Sequence, residues 1–226
     1  MAAASAWPTV SAGGRARRPV WDTLRVAKQH SAVVYLVIAL AAALAGAMVA
    51  RHLGRAPPAL QNGTLLPEGR AVADFQLQDQ DGQPFGLAQL RGAPSLVFFG
   101  FTHCPDVCPA TLALLAGVQR DPALQALRVV FVTVDPGRDD TPTLRNYVRA
   151  FSRTMVGLRG DEAQLQKLMG TLGAVSAITP TAGGGYTVDH SAGLFLVDAQ
   201  GQLAGVFTPP FNLDVLRADL ARAIAR

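Results

Sequence analysis

Cysteine is nearly absent from this chain of 226 residues, which holds only two. Two thiols are too few for a disulfide-dense scaffold or a four-thiolate zinc ribbon. Charge is also sparse, at 16% of residues, with a formal net charge of +4. The excess sits in one place: Arg15, Arg17, Arg18, Arg25 and Lys28 oppose one acid, Asp22, before residue 31. From Arg51 onward the remaining 15 basic and 15 acidic residues balance, so the body offers no basic face to nucleic acid. Aromatic residues reach only 7%, but half the chain is hydrophobic. That is enough for a packed core and argues against wholesale disorder. No internal repeat or low-complexity tract interrupts the body.

Charge is missing altogether from the twenty residues Ser31–Ala50, SAVVYLVIALAAALAGAMVA. As a helix rising about 1.5 Å per residue, such a run crosses a hydrocarbon core of about 30 Å. The basic residues ahead of it predict a single-pass anchor over 31–50, with residues 1–30 cytoplasmic and the body exported. The expected location is the inner membrane with a periplasmic domain, or the mitochondrial inner membrane facing the intermembrane space in a eukaryote. A cleaved signal peptide is the alternative, because the alanine-rich end offers an Ala-x-Ala site. The run is longer than the usual signal core of about 7–15 residues. Residues 51–70, with Pro57, Pro58, Gly63, Pro67 and Gly69, read as a linker. Residues 71–226 then form one domain.

Within that domain strands and helices alternate. Phe75 and Leu77 alternate with polar neighbours, and Asp81-Gly82 turns the chain before Pro84-Phe85, predicting an N-terminal hairpin. Ser95–Phe101, SLVFFGF, and Arg128–Asp135, RVVFVTVD, are continuous apolar runs typical of buried parallel strands. Between them a helix is expected from Pro109, which suits a first helical position. Leu144, Tyr147, Val148 and Phe151 share one helical face, and Leu165, Leu168, Met169 and Leu172 repeat the spacing. Ala192–Asp198 and Gln202–Phe207 predict a second hairpin. A last helix carries Leu213, Leu216, Leu220 and Ile224 behind the cap Asn212. A βαβ unit, a helix, a hairpin and a final helix make the order of an α/β, thioredoxin-like domain.

Both cysteines lie in FGFTHCPDVCP, Phe99–Pro109, where the first buried strand passes into the first helix. Carboxyl ends of parallel strands are where α/β folds open a crevice. Cys108 is expected at a helix N-terminus, where unpaired N–H groups and the helix dipole favour thiolate. Sulfurs four residues apart face each other across one helical turn, ready to chelate a metal or close a disulfide. A structural disulfide is the alternative in an oxidising compartment. A bridge across three residues constrains the unfolded chain little.

The whole string FTHCPDVCP resembles the signature of the Sco/SenC family of membrane-anchored, thioredoxin-like copper proteins. VDPGRDDTPTLRNYVRAF, Val134–Phe151, and YTVDHSAGLFLVDAQGQL, Tyr186–Leu203, resemble two further family segments in the same order. The resemblance implies a copper site formed by Cys104, Cys108 and His190. Two soft sulfurs suit Cu(I), and an imidazole helps hold Cu(II). It implies a chaperone that loads the copper A centre of cytochrome c oxidase, with the copper-bearing oxidase subunit as acceptor and another copper protein as donor. Thiol–disulfide exchange by Cys104 and Cys108, preparing the acceptor's cysteines, is the alternative, and a copper-linked redox sensor a third. No other catalytic residue is expected, and a peroxidase has the weakest claim. His103 occupies a variable family position and is a lesser candidate for the metal or its surroundings. Asp106 and Asp189 read as turn or cap residues, and Asp135 as a loop entry that lines the crevice. Met1, Met48, Met155 and Met169 form no Met-x-Met copper tract.

Overall fold

The computed structural model describes residues 20–53, 60–181 and 183–225, in two units that divide after Ala56. The first unit contains helix α1, Val20–Leu53. Its described side chains, Val34 to Ala50, are all exposed. Among the described residues no helix is long and apolar enough to cross a membrane. The expected anchor begins three residues earlier, and the side chains of Ser31, Ala32 and Val33 lie outside the described residues. So do residues 1–19 of the basic segment and residues 54–59 of the expected linker.

The second unit is built on an eight-stranded sheet. In chain order its strands are β1 Gly63–Ala71, β2 Gln76–Asp79, β3 Pro84–Gly86, β4 Ser95–Gly100, β5 Arg128–Thr133 and β6 Val156–Arg159, then β9 Leu194–Val197 and β10 Gln202–Phe207. Strands β7, Ser176–Pro180, and β8, Tyr186–His190, pair with each other in a separate small sheet. The large sheet runs β1-β10-β9-β4-β5-β6-β2-β3. Its β4, β5 and β6 are mutually parallel, and its remaining pairings are antiparallel. Helices α2 Leu87–Leu90, α3 Val107–Gln119, α4 Thr141–Phe151, α5 Glu162–Leu172 and α6 Leu213–Ile224 complete the unit.

All six residues of β4 are buried, because both faces of the sheet are covered. Val97 and Phe99 join one core with Val130 and Val132, under Leu165, Leu168, Met169 and Leu172 of α5. Leu96 and Phe98 join the other with Val129 and Phe131, under α3, α4 and α6. The period-two alternation of each strand thus feeds two cores. The expected helix faces lie inward: Leu144 and Val148 of α4 and Leu216 and Leu220 of α6 are buried. Tyr147, Phe151, Leu213 and Ile224 pack at the margin. Asp140, Asp161 and Asn212 cap α4, α5 and α6 through first-turn N–H groups.

Three expectations need correction. The linker does not extend to residue 70, because Gly63–Ala71 is β1, paired with β10. Only Leu65 of β1 is buried, so its sequence shows no apolar alternation. An edge strand also tolerates Pro67 and Gly69, which fall where the register shifts between Leu65 and Arg70. Helix α3 starts at Val107, two residues before Pro109. Proline fits there because first-turn N–H groups have no intrahelical partner. Finally, β6 and the β7–β8 pair add strands beyond the two expected hairpins.

Candidate metal centre

Strands β4 and β5 run parallel with Gly100 beside Thr133, so their following loops leave the same sheet edge. Gly100 is required by close approach: a Cβ there would meet the Phe131 ring at 2.8 Å and Cys108 Sγ at 2.9 Å. The loop then turns, Cys104 N–H donating to Phe101 O at 3.2 Å, and enters α3. Cys108 is the second residue of that helix and is fully buried, whereas Cys104 is half-buried. Both are free thiols. The Cys108 N–H points at Cys104 Sγ, 3.5 Å away, so the sulfur occupies the place of a cap on the first turn. Asp106 stands at the N-cap position but its side chain caps nothing.

His190, the last residue of β8, reaches this loop from the small sheet. Its ring packs against the edges of Phe98 and Phe101, with centroids 6.1 and 6.0 Å apart. Nδ1 lies 3.1 Å from Ser191 O, which places the ring proton on Nδ1 and leaves the Nε2 lone pair free. Nε2 is 3.5 Å from Cys108 Sγ. Burial lowers the pKa of His190, so the imidazole is neutral and able to donate a lone pair at pH 7.

Burial acts on Cys108 in the opposite sense to the helix dipole and overrides it. The thiol is pushed from its ordinary 9.0 to about 12, first by desolvation and then by the neighbouring Cys104. The expected thiolate is therefore corrected to a protonated thiol, because a helix N-terminus cannot replace the water that Cys108 has lost. Among the described residues no group of three or more His, Cys, Asp or Glu side chains stands ready to hold a metal ion. The contacts are pairwise, with Cys108 joined to Cys104 on one side and to His190 on the other. The donor chemistry suits a soft ion, which must displace the Cys108 proton.

Sequence reasoning missed the supports of this site. Asp139, fully buried, accepts from Thr102 N–H at 3.0 Å, Thr102 Oγ1 at 2.6 Å and Thr133 Oγ1 at 2.5 Å. It thereby ties the cysteine loop to the end of β5. Exposed His103 meets the same group, its Nδ1 lying 3.0 Å from Thr102 Oγ1 and 3.5 Å from Asp139 Oδ1. Asp135 is also buried, accepting from Arg138 Nε and, at 2.8 Å, from Tyr186 Oη of β8. It holds the histidine strand, a larger role than loop entry. Asp189 faces outward and accepts from Thr179 Oγ1 across the small sheet at 2.6 Å. The available signal was the pair of acids in Asp-Pro-Gly-Arg-Asp, placed just past a buried strand. The two cavities of about 550 Å³ lie elsewhere, one between β1, β10 and α6 and one beside β2.

Fold and site together define a thioredoxin-like protein with a dithiol at a strand-to-helix elbow and an imidazole brought to it by an added hairpin. The chain belongs to the SCO1/SenC family, whose model matches residues 64–225. Over 211 residues it is 36% identical to a protein of Stutzerimonas stutzeri named for copper binding, covering 91% of this chain and 98% of that one. The structure of Bradyrhizobium japonicum ScoI with copper bound superposes with a TM-score of 0.61 at 36% identity, over 68% of this chain and 99% of the other. BsSco, described as a member of the Sco family of cytochrome c oxidase assembly proteins and as holding a disulfide switch, shares the fold at 23% identity. Its TM-score is 0.56, over 71% of this chain and 96% of that one.

Proposed function

We propose that this protein is a copper chaperone. Cys104, Cys108 and His190 bind one copper ion and pass it to the copper-bearing subunit of cytochrome c oxidase for its copper A centre. The observation that carries the reading is Cys108 Sγ standing 3.5 Å from a lone-pair-bearing His190 Nε2, with Cys104 Sγ on the adjoining N–H. Two sulfurs suffice for Cu(I), and the imidazole extends the site to Cu(II). Three protein ligands leave one side of the ion open, so an acceptor ligand enters before a donor ligand leaves. Support for copper comes from the copper-bound relative. Support for the acceptor comes from the role described for the family of BsSco. Another copper protein is the expected donor.

The run Ser31–Ala50 anchors the protein in the inner membrane, with its N-terminus cytoplasmic and the second unit periplasmic. Two features support this anchor: twenty uncharged residues behind five basic ones, and a helix apolar on every side from Val34 to Ala50 with no face buried. Protease digestion of intact spheroplasts, expected to remove the second unit, tests that orientation.

Purified reduced protein is expected to take up copper one-to-one, with sulfur-to-Cu(II) charge-transfer absorption. Cys104→Ala and Cys108→Ala should each abolish uptake, whereas His190→Ala should lose Cu(II) and keep Cu(I). Transfer to an apo oxidase copper domain by wild type but not by His190→Ala supports delivery. Undiminished transfer by that variant removes His190 from the reading. A second reading, thiol–disulfide exchange, is favoured by two free and adjacent cysteines of which Cys104 is half-exposed. Two thiols would give two electrons and two protons to one acceptor disulfide. The residues between β8 and β9, Ser191, Ala192 and Gly193, include no proline of the kind ordinary thioredoxins use to dock substrates. Exchange activity that survives His190→Ala separates this reading from copper delivery.

A further inference from the structure

Strand β8 alternates cleanly. Thr187 and Asp189 are exposed, Val188 is buried, and Tyr186 and His190 are partly buried. Tyr186, Val188 and His190 therefore share the face turned to the body, with Tyr186 and His190 about 13 Å apart at ~3.3 Å per residue. Near His190 the small sheet is closed by Ser191 N–H donating to Val175 O at 2.9 Å and Val175 N–H donating to Ser191 Oγ at 3.0 Å. These two bonds tie the residue after β8 to the residue before β7.

The other end of the strand is held by the turn that follows β5. Tyr186 Oη donates to Asp135, and Arg138 Nη1 donates to Tyr186 O at 3.2 Å. The Arg138 guanidinium lies over the Tyr186 ring, 3.9 Å from its centroid, and 5.7 Å from that of Phe101. Phe101 is itself one of the two rings against His190. Four residues beyond Asp135, Asp139 holds the cysteine loop through Thr102. The turn is internally tied by Asp139 N–H donating to Asp135 O at 3.0 Å.

We propose that the turn Asp135–Asp139 is a bracket that sets the donor geometry: Asp139 fixes the cysteine loop, and Asp135 with Arg138 fixes the histidine strand through Tyr186. Asp135, Arg138 and Tyr186 are positioning residues that act on copper only through His190. The inference rests on the copper reading for its consequence at the metal, but its structural half stands without metal. Two thiolates alone suit Cu(I), so loosening the strand weakens Cu(II) retention selectively.

The test uses Tyr186→Phe, which removes the hydroxyl and keeps the ring beneath Arg138, and Asp135→Asn as a second variant. In metal-free protein, amide exchange along β8 should quicken about three- to tenfold, as the net loss of one partly exposed hydrogen bond predicts. Exchange in β4 and β5 should stay at the wild-type rate. In copper-loaded protein, Cu(II) loss to a chelator should quicken about as much, with a shifted charge-transfer band, while Cu(I) loss changes less than about twofold. Wild-type exchange in β8 of both variants overturns the bracket. Faster exchange with unaltered Cu(II) release and spectrum overturns its role at the site. If Asp135→Asn does not fold, Tyr186→Phe decides alone. Failure of wild-type protein to bind copper overturns the copper reading instead, and the metal-free exchange still decides the bracket.

Discussion

Cys108 stands in the first turn of a thirteen-residue helix, behind a strand whose six residues are all buried. His190 ends a five-residue strand whose ladder is formed with β7 alone, and Val188 is the one buried residue of the two strands. One region is part of both cores; the other is an appendage outside the large sheet. A group buried on all sides keeps its position whatever happens at the surface, whereas a short two-stranded ribbon is marginal by itself. In the proposed site buried Cys108, with Cys104 on the loop that Asp139 ties down, thus forms the fixed half of the donor set and the imidazole the adjustable half.

That contrast is broken most directly by attacking the sulfurs chemically. With its thiol pushed to about 12, Cys108 should react with iodoacetamide at pH 8 about a thousandfold more slowly in the folded protein than in urea. Half-exposed Cys104 should be modified first. Equal rates at the two cysteines in mass-mapped time courses would show that the elbow opens freely. Next in size is the tether of the cysteine loop. Asp139→Ala removes the acceptor of the partly buried Thr102 N–H and hydroxyl and of the buried Thr133 hydroxyl, and should cost about 2–3 kcal/mol in urea unfolding. A loss near zero would mean that the loop is held by packing alone.

The adjustable half should respond more weakly and locally. Val188→Ala should cost about 1–2 kcal/mol of local stability, read as faster amide exchange in β7 and β8 with β4 and β5 unchanged. Equal acceleration throughout would merge the two regions into one cooperative unit. The smallest effect is on pH. Because burial lowers the pKa of His190, the unfolded state takes up its proton first as pH falls. The stability from neutral His190 is present above its ordinary value of 6.5 and is lost as pH falls from there through the lowered folded value. Wild type should therefore lose slightly more stability than His190→Gln between about pH 7 and 5. Parallel pH curves would show that the ring sits in water.

The core half was the more legible in sequence, for the same reason that it is rigid. Strands β4 and β5 announce themselves as unbroken apolar runs, and the inward faces of α4, α5 and α6 follow the helical period. Edge and appended strands carry no such imprint. Only Leu65 of β1 is buried, and β7 and β8 together bury Val188 alone. Strand β6 has four residues, too few for a period, and its Gly157 is fixed by Leu144 and Val148 of α4, each 3.0 Å from where a Cβ would be. At the site, the cysteines were visible from spacing and position, whereas His190 was promoted only by the family resemblance. The supporting roles of Asp135, read only as a loop entry, and of Asp139 escaped because their partners, Tyr186 and Thr102, lie 51 and 37 positions away. The sense of the Cys108 shift escaped because burial depth is not written in a motif.

The strand β1 has a consequence for how the protein is made. Its residues pair with β10 from Gly63 beside Phe207 onward, and just ahead of it Gln61 N–H and Asn62 N–H donate to Asp219 of α6, 158 and 157 positions later. During synthesis at ~5–20 residues per second, the first strand of the sheet waits about 10–30 s for its partners. Strands β4 and β5, which are close in sequence, can pair long before then. Helix α6 completes the closure of the domain, so a ribosome stalled before Asp219 holds a sheet whose first strand still lacks the carboxylate that receives Gln61 N–H and Asn62 N–H.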